Sequence, residues 1–364
     1  MNLSINSVVY FYNFICVALL VFNILYILRS GTRSRKELRR AQNWSAILDR
    51  EIGAGGPGEK CLEYMGRRLR RVSELTAFNT AMEARMSVPP SPEQQAFIDA
   101  CYRTFPGLAS HYRRRPSMER AFFAYVISRY PPRDGGGQLP ALLLEYMEDS
   151  TVYCRENVLQ ALYALGSAAG IQQALRMLNE RGWYHHSHML ADGLAGFRGD
   201  KAALAASLWE ECREWDENLQ VAVVQFASNV TDGMGEPFRE ALADQRTTIE
   251  LRFALIRYFA RHPDEQVRPL LLEMVRQELD SGETAIVACS ALARYPGQDT
   301  EEVLEKALMS RNWFVRHNAA QSLLALGDEA SAYAAAERVN DRYARQMLDY
   351  VTGKNVSERE AVSL

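Results

Sequence analysis

Three histidines form the first group whose spacing could support chemistry. His185, His186 and His188 stand together in the stretch WYHHSHM, and clustered imidazoles are common metal ligands. On a helix, positions i, i+1 and i+3 do not share one face, and no cysteine or carboxylate lies within three residues of the cluster. We therefore predict a helix start or a surface loop here, with no bound metal.

The cysteines are the second group with reactive side chains. They are Cys16, Cys61, Cys101, Cys154, Cys212 and Cys289. None belongs to a C-x-x-C pair, so we expect reduced and mostly buried thiols that pack as small hydrophobic groups. The chain also lacks a P-loop, a dinucleotide-binding glycine motif after a strand and a nucleophile elbow. The sequence thus predicts a protein that is not an enzyme and binds no cofactor.

Charge is distributed very unevenly along the 364 residues, although the net charge is only −3. Residues 1–28 carry no charged side chain, whereas residues 29–71 hold 12 basic and 5 acidic residues, or +7. Residues 116–364 hold 25 basic and 36 acidic residues, or −11. An acidic body of this size disfavours binding to phosphate backbones, so we expect no nucleic-acid partner.

An uncharged segment at the N-terminal end predicts a membrane anchor. Val8–Leu28 contains 21 residues without a charge, which is long enough for a helix to cross a hydrocarbon core of about 30 Å. A cleaved signal peptide would instead carry its basic residues before the apolar stretch. We therefore predict a single transmembrane helix within residues 1–28.

Basic residues follow this segment directly and predict its orientation. They are Arg29, Arg33, Arg35, Lys36, Arg39 and Arg40. The positive-inside rule retains such a flank in the cytoplasm, so the N-terminus is expected outside and the body inside a plasma (inner) membrane. The same side chains would contact anionic lipid headgroups. Asn13 and Asn23 lie on one broad side of the helix, where their amides could bind a transmembrane helix of a partner protein.

The region between anchor and body is predicted to be a stalk over residues 29–92. A basic helix is expected over Ser34–Ile52, followed by a glycine-rich break and a second helix over Glu59–Met86. The proline-rich stretch at residues 87–92 ends this region. Residues 93–351 would then form the body, and residues 352–364 a C-terminal tail.

A repeat of about 32 residues dominates the body. One central apolar position of each repeat falls at Ile127, Leu162, Leu194, Phe226, Tyr258, Leu292 and Leu323. The spacings of 35, 32, 32, 32, 34 and 31 residues fit two helices of about twelve residues and two turns. One such hairpin cannot bury its own apolar stripe, so stacked hairpins are required, and the pattern predicts an all-α, α-solenoid fold of about seven repeats.

Two segments of this repeat resemble a known family. Val152–Gly166 (VYCRENVLQALYALG) and Phe314–Asp328 (FVRHNAAQSLLALGD) are similar to HEAT repeats of the short bacterial form, related to the repeats of bilin lyases. Arg155 and Arg316 stand seven residues before the central leucine, where a HEAT second helix typically begins. Arg252 is one residue out of that register. The resemblance implies a solenoid that serves as a binding surface.

These observations favour a bacterial, membrane-anchored HEAT-repeat adaptor that positions or regulates a protein partner. Because the anchor would place the body beside other membrane proteins, the expected partner is an integral membrane enzyme or transporter, such as an envelope-polysaccharide synthase. Two alternatives stay open. One is a HEAT-like bilin lyase or isomerase, and the other is a self-assembling structural protein.

Overall fold

The computed structural model describes residues 5–280 and 282–353, with the side chains of residues 5–9 and 25–34 left aside. Every regular element in the described part is a helix. The chain divides into two compact units, unit 1 over residues 1–171 and unit 2 over residues 172–364.

Unit 1 contains eight helices and the start of a ninth within its described residues. They are α1 (Ile5–Gly53), α2 (Glu59–Arg68), α3 (Val72–Arg85), α4 (Pro92–Cys101), α5 (Phe105–Tyr112), α6 (Ser117–Arg129), α7 (Leu139–Leu144), α8 (Val152–Leu165) and α9 (Ala168–Arg181). Helix α1 packs on α3 and α4, and α6 packs on α3 and α8. Residues assigned to a stalk therefore include part of a packed core, since Trp44, Leu48 and Phe78 are buried. The predicted boundaries at residues 28, 92 and 351 stay predictions.

A turn interrupts the single helix predicted over Glu59–Met86. Helix α2 ends at Arg68, and α3 begins at Val72. The hydroxyl group of Tyr112 donates a hydrogen bond of 2.7 Å to the carbonyl oxygen of Leu69. This carbonyl belongs to the turn, so a partner more than 40 residues away in sequence satisfies one of the backbone groups that a continuous helix would have used.

Unit 2 holds the rest of α9 and eleven further helices in its described part. They are α10 (Ser187–Ala195), α11 (Lys201–Glu211), α12 (Glu217–Val230), α13 (Gly235–Ala243), α14 (Ile249–Arg261), α15 (Arg268–Gln277), α16 (Glu283–Leu292), α17 (Gln298–Ala307), α18 (Trp313–Leu326), α19 (Glu329–Val339) and α20 (Arg342–Val351). A 3₁₀ turn at Cys212–Glu214 follows α11.

The even-numbered helices from α10 to α20 form the inner layer of unit 2. Each packs on the next even-numbered helix, while α15 packs on α17 and α17 on α19 in a second layer. This alternation is the stacking of helical hairpins that an α-solenoid requires. The seven central positions, Ile127, Leu162, Leu194, Phe226, Tyr258, Leu292 and Leu323, are all buried, the first two of them in unit 1.

Hydrogen bonds at about the spacing of the repeat join the hairpins of unit 2 that contain α14, α16 and α18. Asn318 Nδ2 donates to the carbonyl oxygen of Ile286 over 2.7 Å, and Ser322 Oγ donates to that of Cys289 over 2.7 Å. The hydroxyl of Tyr295 donates to the carbonyl oxygen of Phe259 over 2.9 Å. These bonds supplement apolar packing with fixed register between neighbours.

Local sequence signals set the helix boundaries. Asp200 Oδ1 accepts from the backbone N–H of Ala203 at the start of α11, and Asp341 Oδ1 accepts from that of Ala344 at the start of α20. Such side chains satisfy donors that the first helical turn leaves free. Gly166 ends α8 at a φ of 69°, a left-handed conformation that glycine adopts without steric cost.

Within the described residues, no helix is both long and apolar enough to cross a membrane. The transmembrane helix predicted over Val8–Leu28 is therefore not confirmed. The structure does not describe the side chains of residues 8, 9 and 25–28 of that segment, nor those of Arg29 and Arg33 after it.

Replacing Glu74 by alanine tests the contact that holds α1 against the α2–α3 turn. The buried Glu74 carboxylate accepts a 3.1 Å hydrogen bond from Trp44 Nε1 and a 2.7 Å bond from Arg68 Nη2. Without an acceptor the buried indole N–H is unsatisfied, so we expect Glu74→Ala to lower the free energy of unfolding by about 1–3 kcal/mol. Urea denaturation measures the loss. Glu63→Ala, which changes an exposed carboxylate, is the matched control, and an equal effect of both would contradict this role.

High pH should destabilise the fold through its buried tyrosines. Burial raises the pKa of Tyr112 and Tyr146, and it raises the pKa of Tyr295 to about 12. An unfolded tyrosine titrates near 10, so the folded state retains protons that the unfolded state releases, and stability is expected to fall as the pH rises from about 10 towards 12. Urea denaturation in that pH range, with tyrosinate absorbance recorded in parallel, checks this. A flat stability profile would contradict it.

Candidate interaction surfaces

The contacts of Glu74 bring two basic segments of unit 1 together. Arg40 Nε lies 3.5 Å from the same carboxylate oxygen that binds Arg68, so a basic residue of α1 meets one from the end of α2. Lys36 precedes Arg40 by four residues and therefore lies on the same side of α1. The sequence places these segments about 30 residues apart, and a single buried carboxylate joins them.

Basic side chains around this junction are exposed. On α1 they are Arg35, Lys36 and Arg39, and at the α2–α3 turn they are Arg67, Arg70 and Arg71. We call these six residues the basic face. Among the residues that the structure describes, no ion pair is formed by any of them, whereas Arg68 and Arg40 share Glu74. The basic face thus presents six cations to solvent.

The same helix carries an exposed apolar segment before the basic face. The side chains of residues 10–24 are all exposed, and they include Phe11, Phe14, Leu20 and Ile24. Asn13 and Asn23 are exposed within it. A contiguous exposed apolar surface of this kind marks a site of contact with lipid or with another protein.

Unit 2 has a separate aromatic cluster near its C-terminal end. Trp313 and Phe314 begin α18, and Tyr343 and Tyr350 lie on α20. Their exposed fractions are 42%, 58%, 60% and 58%. The Trp313 ring stacks on His317 at 4.9 Å between centroids and meets the Tyr350 ring at 5.8 Å. We call Trp313, Phe314, Tyr343 and Tyr350 the aromatic cluster.

The turn before α18 holds the aromatic cluster in place. Asn312 Oδ1 accepts from the backbone N–H of Phe314 over 2.9 Å, which fixes the first turn of the helix. Arg316 Nη1 donates to the carbonyl oxygen of Ser310 over 3.1 Å, and its guanidinium carbon lies 5.5 Å from the Tyr343 ring centre. Rigid aromatic side chains with an adjacent arginine are typical of protein-binding hot spots.

Sequence reasoning identified Phe314 only as part of a repeat and missed the aromatic cluster. The available signal was a Trp-Phe pair at the start of an inner helix, where α12 has Glu-Asn and α16 has Glu-Thr. The exposure of that pair depends on how α20 packs, because Tyr350 meets Trp313 from the next hairpin.

Arginines near the starts of inner helices have a structural role in the turns before them. Arg155 Nη1 donates over 2.7 Å to the carbonyl oxygen of Ser150, as Arg316 does to that of Ser310. Arg252 Nη2 donates over 3.3 Å to that of Thr247, although it is one residue out of register in sequence. In each case the acceptor is a carbonyl five or six residues before the arginine, which the spacing to the central apolar residue could not reveal.

The histidine cluster forms the start of a helix. His186 Nδ1 accepts from the backbone N–H of His188 over 3.3 Å and so caps α10, and the two rings stack 5.5 Å apart. The side chain of His185 is buried. Within the described residues, no group of three or more histidine, cysteine or acidic side chains could hold a metal ion.

The cysteines are placed as packing residues. Cys61, Cys101, Cys154, Cys212 and Cys289 are buried, and Cys16 is exposed. Burial raises the pKa of all five buried thiols, to about 12 for Cys212 and Cys289. A thiol with a raised pKa is a poor nucleophile at neutral pH because the thiolate is the reactive form.

An open cavity of about 580 Å³ lies in unit 2 between α11, α13 and α14. Its lining mixes three carboxylates with two guanidinium groups, from Glu214, Glu240, Asp244, Arg213 and Arg246. Asp244 and Arg246 pair with each other at 2.8 Å, so the charges of the cavity wall largely offset one another. The lining of this cavity therefore favours neither an anionic nor a cationic ligand.

Comparison with known proteins gives a match for the C-terminal part of unit 2. A comparison with curated proteins finds none that matches this chain. A model of the HEAT-repeat family matches residues 269–348, which cover α15 to α19 and most of α20. The match includes the aromatic cluster except Tyr350. It supports the resemblance noted in the sequence, and the stacked helical hairpins of α15 to α20 agree with it.

Proposed function

We propose that this protein is a membrane-anchored scaffold that binds a protein partner through its HEAT repeats and acts without catalysis of its own. A helical repeat fold of this kind is suited to a scaffold or protein-interaction role, because stacked hairpins present long surfaces on a rigid frame. The observation that carries the proposal is the aromatic cluster. It places four large exposed rings on two adjacent inner helices.

The energetics of interfaces support the aromatic cluster as the partner site. Tyrosine, tryptophan and arginine dominate binding hot spots, since they bury a large area at a small cost in conformational entropy. Trp313 is already held by His317 and Tyr350, so little further ordering is needed on binding. A pre-ordered cluster therefore favours binding to a folded surface or peptide.

The exposed apolar segment of α1 supports the membrane part of the proposal. Residues 10–24 expose every side chain, and the uncharged sequence extends on both sides to cover residues 1–28. In water this surface is costly, whereas burial of apolar area in lipid gains about 25 cal/mol per Å². The basic residues after it would keep the body in the cytoplasm.

Anchoring narrows the class of partner to integral membrane proteins. Asn13 and Asn23 are exposed on the apolar segment, and an amide in hydrocarbon gains by hydrogen bonding to another transmembrane helix. We propose a membrane enzyme or transporter, with an envelope-polysaccharide synthase as one instance, whose activity or position the scaffold controls. Contacts would then form at two places, within the membrane and at the aromatic cluster.

Paired substitutions in the aromatic cluster test this function. The full-length protein is affinity-purified from native membranes in mild detergent. The wild type is compared with a double variant that carries Trp313→Ala and Phe314→Ala. We expect one integral membrane protein to co-purify with the wild type and its recovery to fall at least about tenfold in the variant, since losing a hot spot costs 1.4 kcal/mol or more. Quantitative mass spectrometry measures the recovery.

The matched control removes two other exposed side chains of unit 2. Tyr184→Ala with Met189→Ala changes residues that are 66% and 56% exposed, and it should leave recovery unchanged. Melting temperatures of both variants must match the wild type. Equal recovery from both variants, a wild type that is purified alone, or a protein absent from the membrane fraction would contradict the proposal. A homo-oligomer without another protein would indicate self-assembly instead.

A further inference from the structure

We propose that the α2–α3 turn of unit 1 docks on anionic lipid. The basic face, which combines residues from two separate parts of the sequence, would then bind the headgroup phosphates. The proposal deepens the membrane part of the proposed function and rests on it. It adds Arg67, Arg70 and Arg71 to the lipid contact that the sequence predicted for α1 alone.

The first support is the junction at Glu74. Its carboxylate neutralises Arg68 and Arg40 in part, and it fixes the α2–α3 turn beside α1 through bonds of 2.7 and 3.1 Å. A buried carboxylate with several donors holds its position, so the turn cannot move independently of α1. The exposed arginines of the turn and those of α1 thus keep a constant relation to one another.

The second support is the lack of acidic partners. Within the described part of the chain, Arg67, Arg70 and Arg71 form no ion pair, although other arginines of unit 1, such as Arg113, Arg115 and Arg133, each have one. Four arginines within five residues repel one another, and that repulsion is relieved when an external anion binds. A phosphate-rich surface matches this pattern, because arginine binds phosphate oxygens in a bidentate manner.

The third support is the direction of α1. Three members of the basic face, Arg35, Lys36 and Arg39, follow the exposed apolar segment on the same helix. Twelve residues separate Leu28 from Arg40, or about 18 Å at the helical rise. Arginine side chains are long, and the screening length is about 8 Å. The arginines of the α2–α3 turn would therefore lie within the electrostatic field of the headgroups. An anchored α1 would therefore hold the turn near the lipid surface with no further change in structure.

Trypsin cleavage in lipid nanodiscs tests the docking, because trypsin cuts after the arginines in question. The full-length protein is placed in discs of phosphatidylcholine alone or of phosphatidylcholine with phosphatidylglycerol. We expect cleavage after Arg67, Arg70 and Arg71 to be at least about fivefold slower in the anionic discs, from about 1 kcal/mol per bound cation. Cleavage after Arg246, whose side chain is 91% exposed in unit 2, should be equal in both.

Neutralising the α1 side tests whether the two segments act as one face. The test variant combines Arg35→Gln, Lys36→Gln and Arg39→Gln. In this variant, the protection against trypsin cleavage after Arg70 in anionic discs should fall by more than half. The matched control neutralises three exposed arginines of unit 2, Arg198, Arg213 and Arg311, and should retain full protection. At about 1 M salt, where the screening length is about 3 Å, the protection of the wild type should disappear.

The outcomes separate this inference from the proposed anchor. If the protein elutes together with both kinds of disc at high salt and is protected from trypsin only in anionic discs, the result supports both the anchor and the docking of the basic face. If the protein elutes together with both kinds of disc but trypsin cleaves it at equal rates in both, the docking of the basic face is overturned and the anchor is retained. Binding only to anionic discs, released by salt, supports the basic face and overturns the anchor. Protection by inorganic phosphate with phosphatidylcholine discs, at matched ionic strength, would overturn the assignment to lipid.

Discussion

The inability of one helical hairpin to cover its own apolar stripe is the constraint on which this structure depends. In unit 2 each inner helix packs on its even-numbered neighbours, and the bonds from Asn318 to Ile286 and from Ser322 to Cys289 each span about one sequence period. Stacking buries the central positions and leaves Trp313 and Phe314, at the start of α18, exposed. Tyr343 and Tyr350 of the next inner helix, α20, complete the aromatic cluster, so the stacking that builds the core also brings the proposed binding residues together.

In unit 1, polar contacts hold the α2–α3 turn in place. The α2–α3 turn is held by Glu74 on one side and by the bond from Tyr112 to Leu69 on the other. These contacts place cations on the surface that no carboxylate of the described chain neutralises. The charge segregation of the sequence therefore has a structural counterpart, since the +7 segment becomes a basic face beside the apolar part of α1. Both features are consistent with attachment to an anionic membrane.

Much of the fold could be predicted from the sequence, because apolar periodicity and repeat spacing report the helices directly. The inner helices were expected near their observed positions, and the family match at residues 269–348 agrees with the HEAT resemblance. The break at Leu69–Arg71 could not be predicted, because the hydroxyl that binds it comes from Tyr112. The role of Arg252 was hidden by a one-residue shift, and the aromatic cluster required the packing of α20. The transmembrane helix at Val8–Leu28 is not confirmed and now stands as part of the proposal.

We propose that the repeats of unit 2 bind another membrane protein at the aromatic cluster. Site-specific photocrosslinking in living cells tests it most directly, with a photoreactive amino acid in place of Phe314 and, as a control, in place of the exposed Ala330 on α19. We expect position 314 to crosslink to a single integral membrane protein and position 330 to give no such crosslink. Crosslinks of equal yield at both positions, or none at position 314, would contradict it.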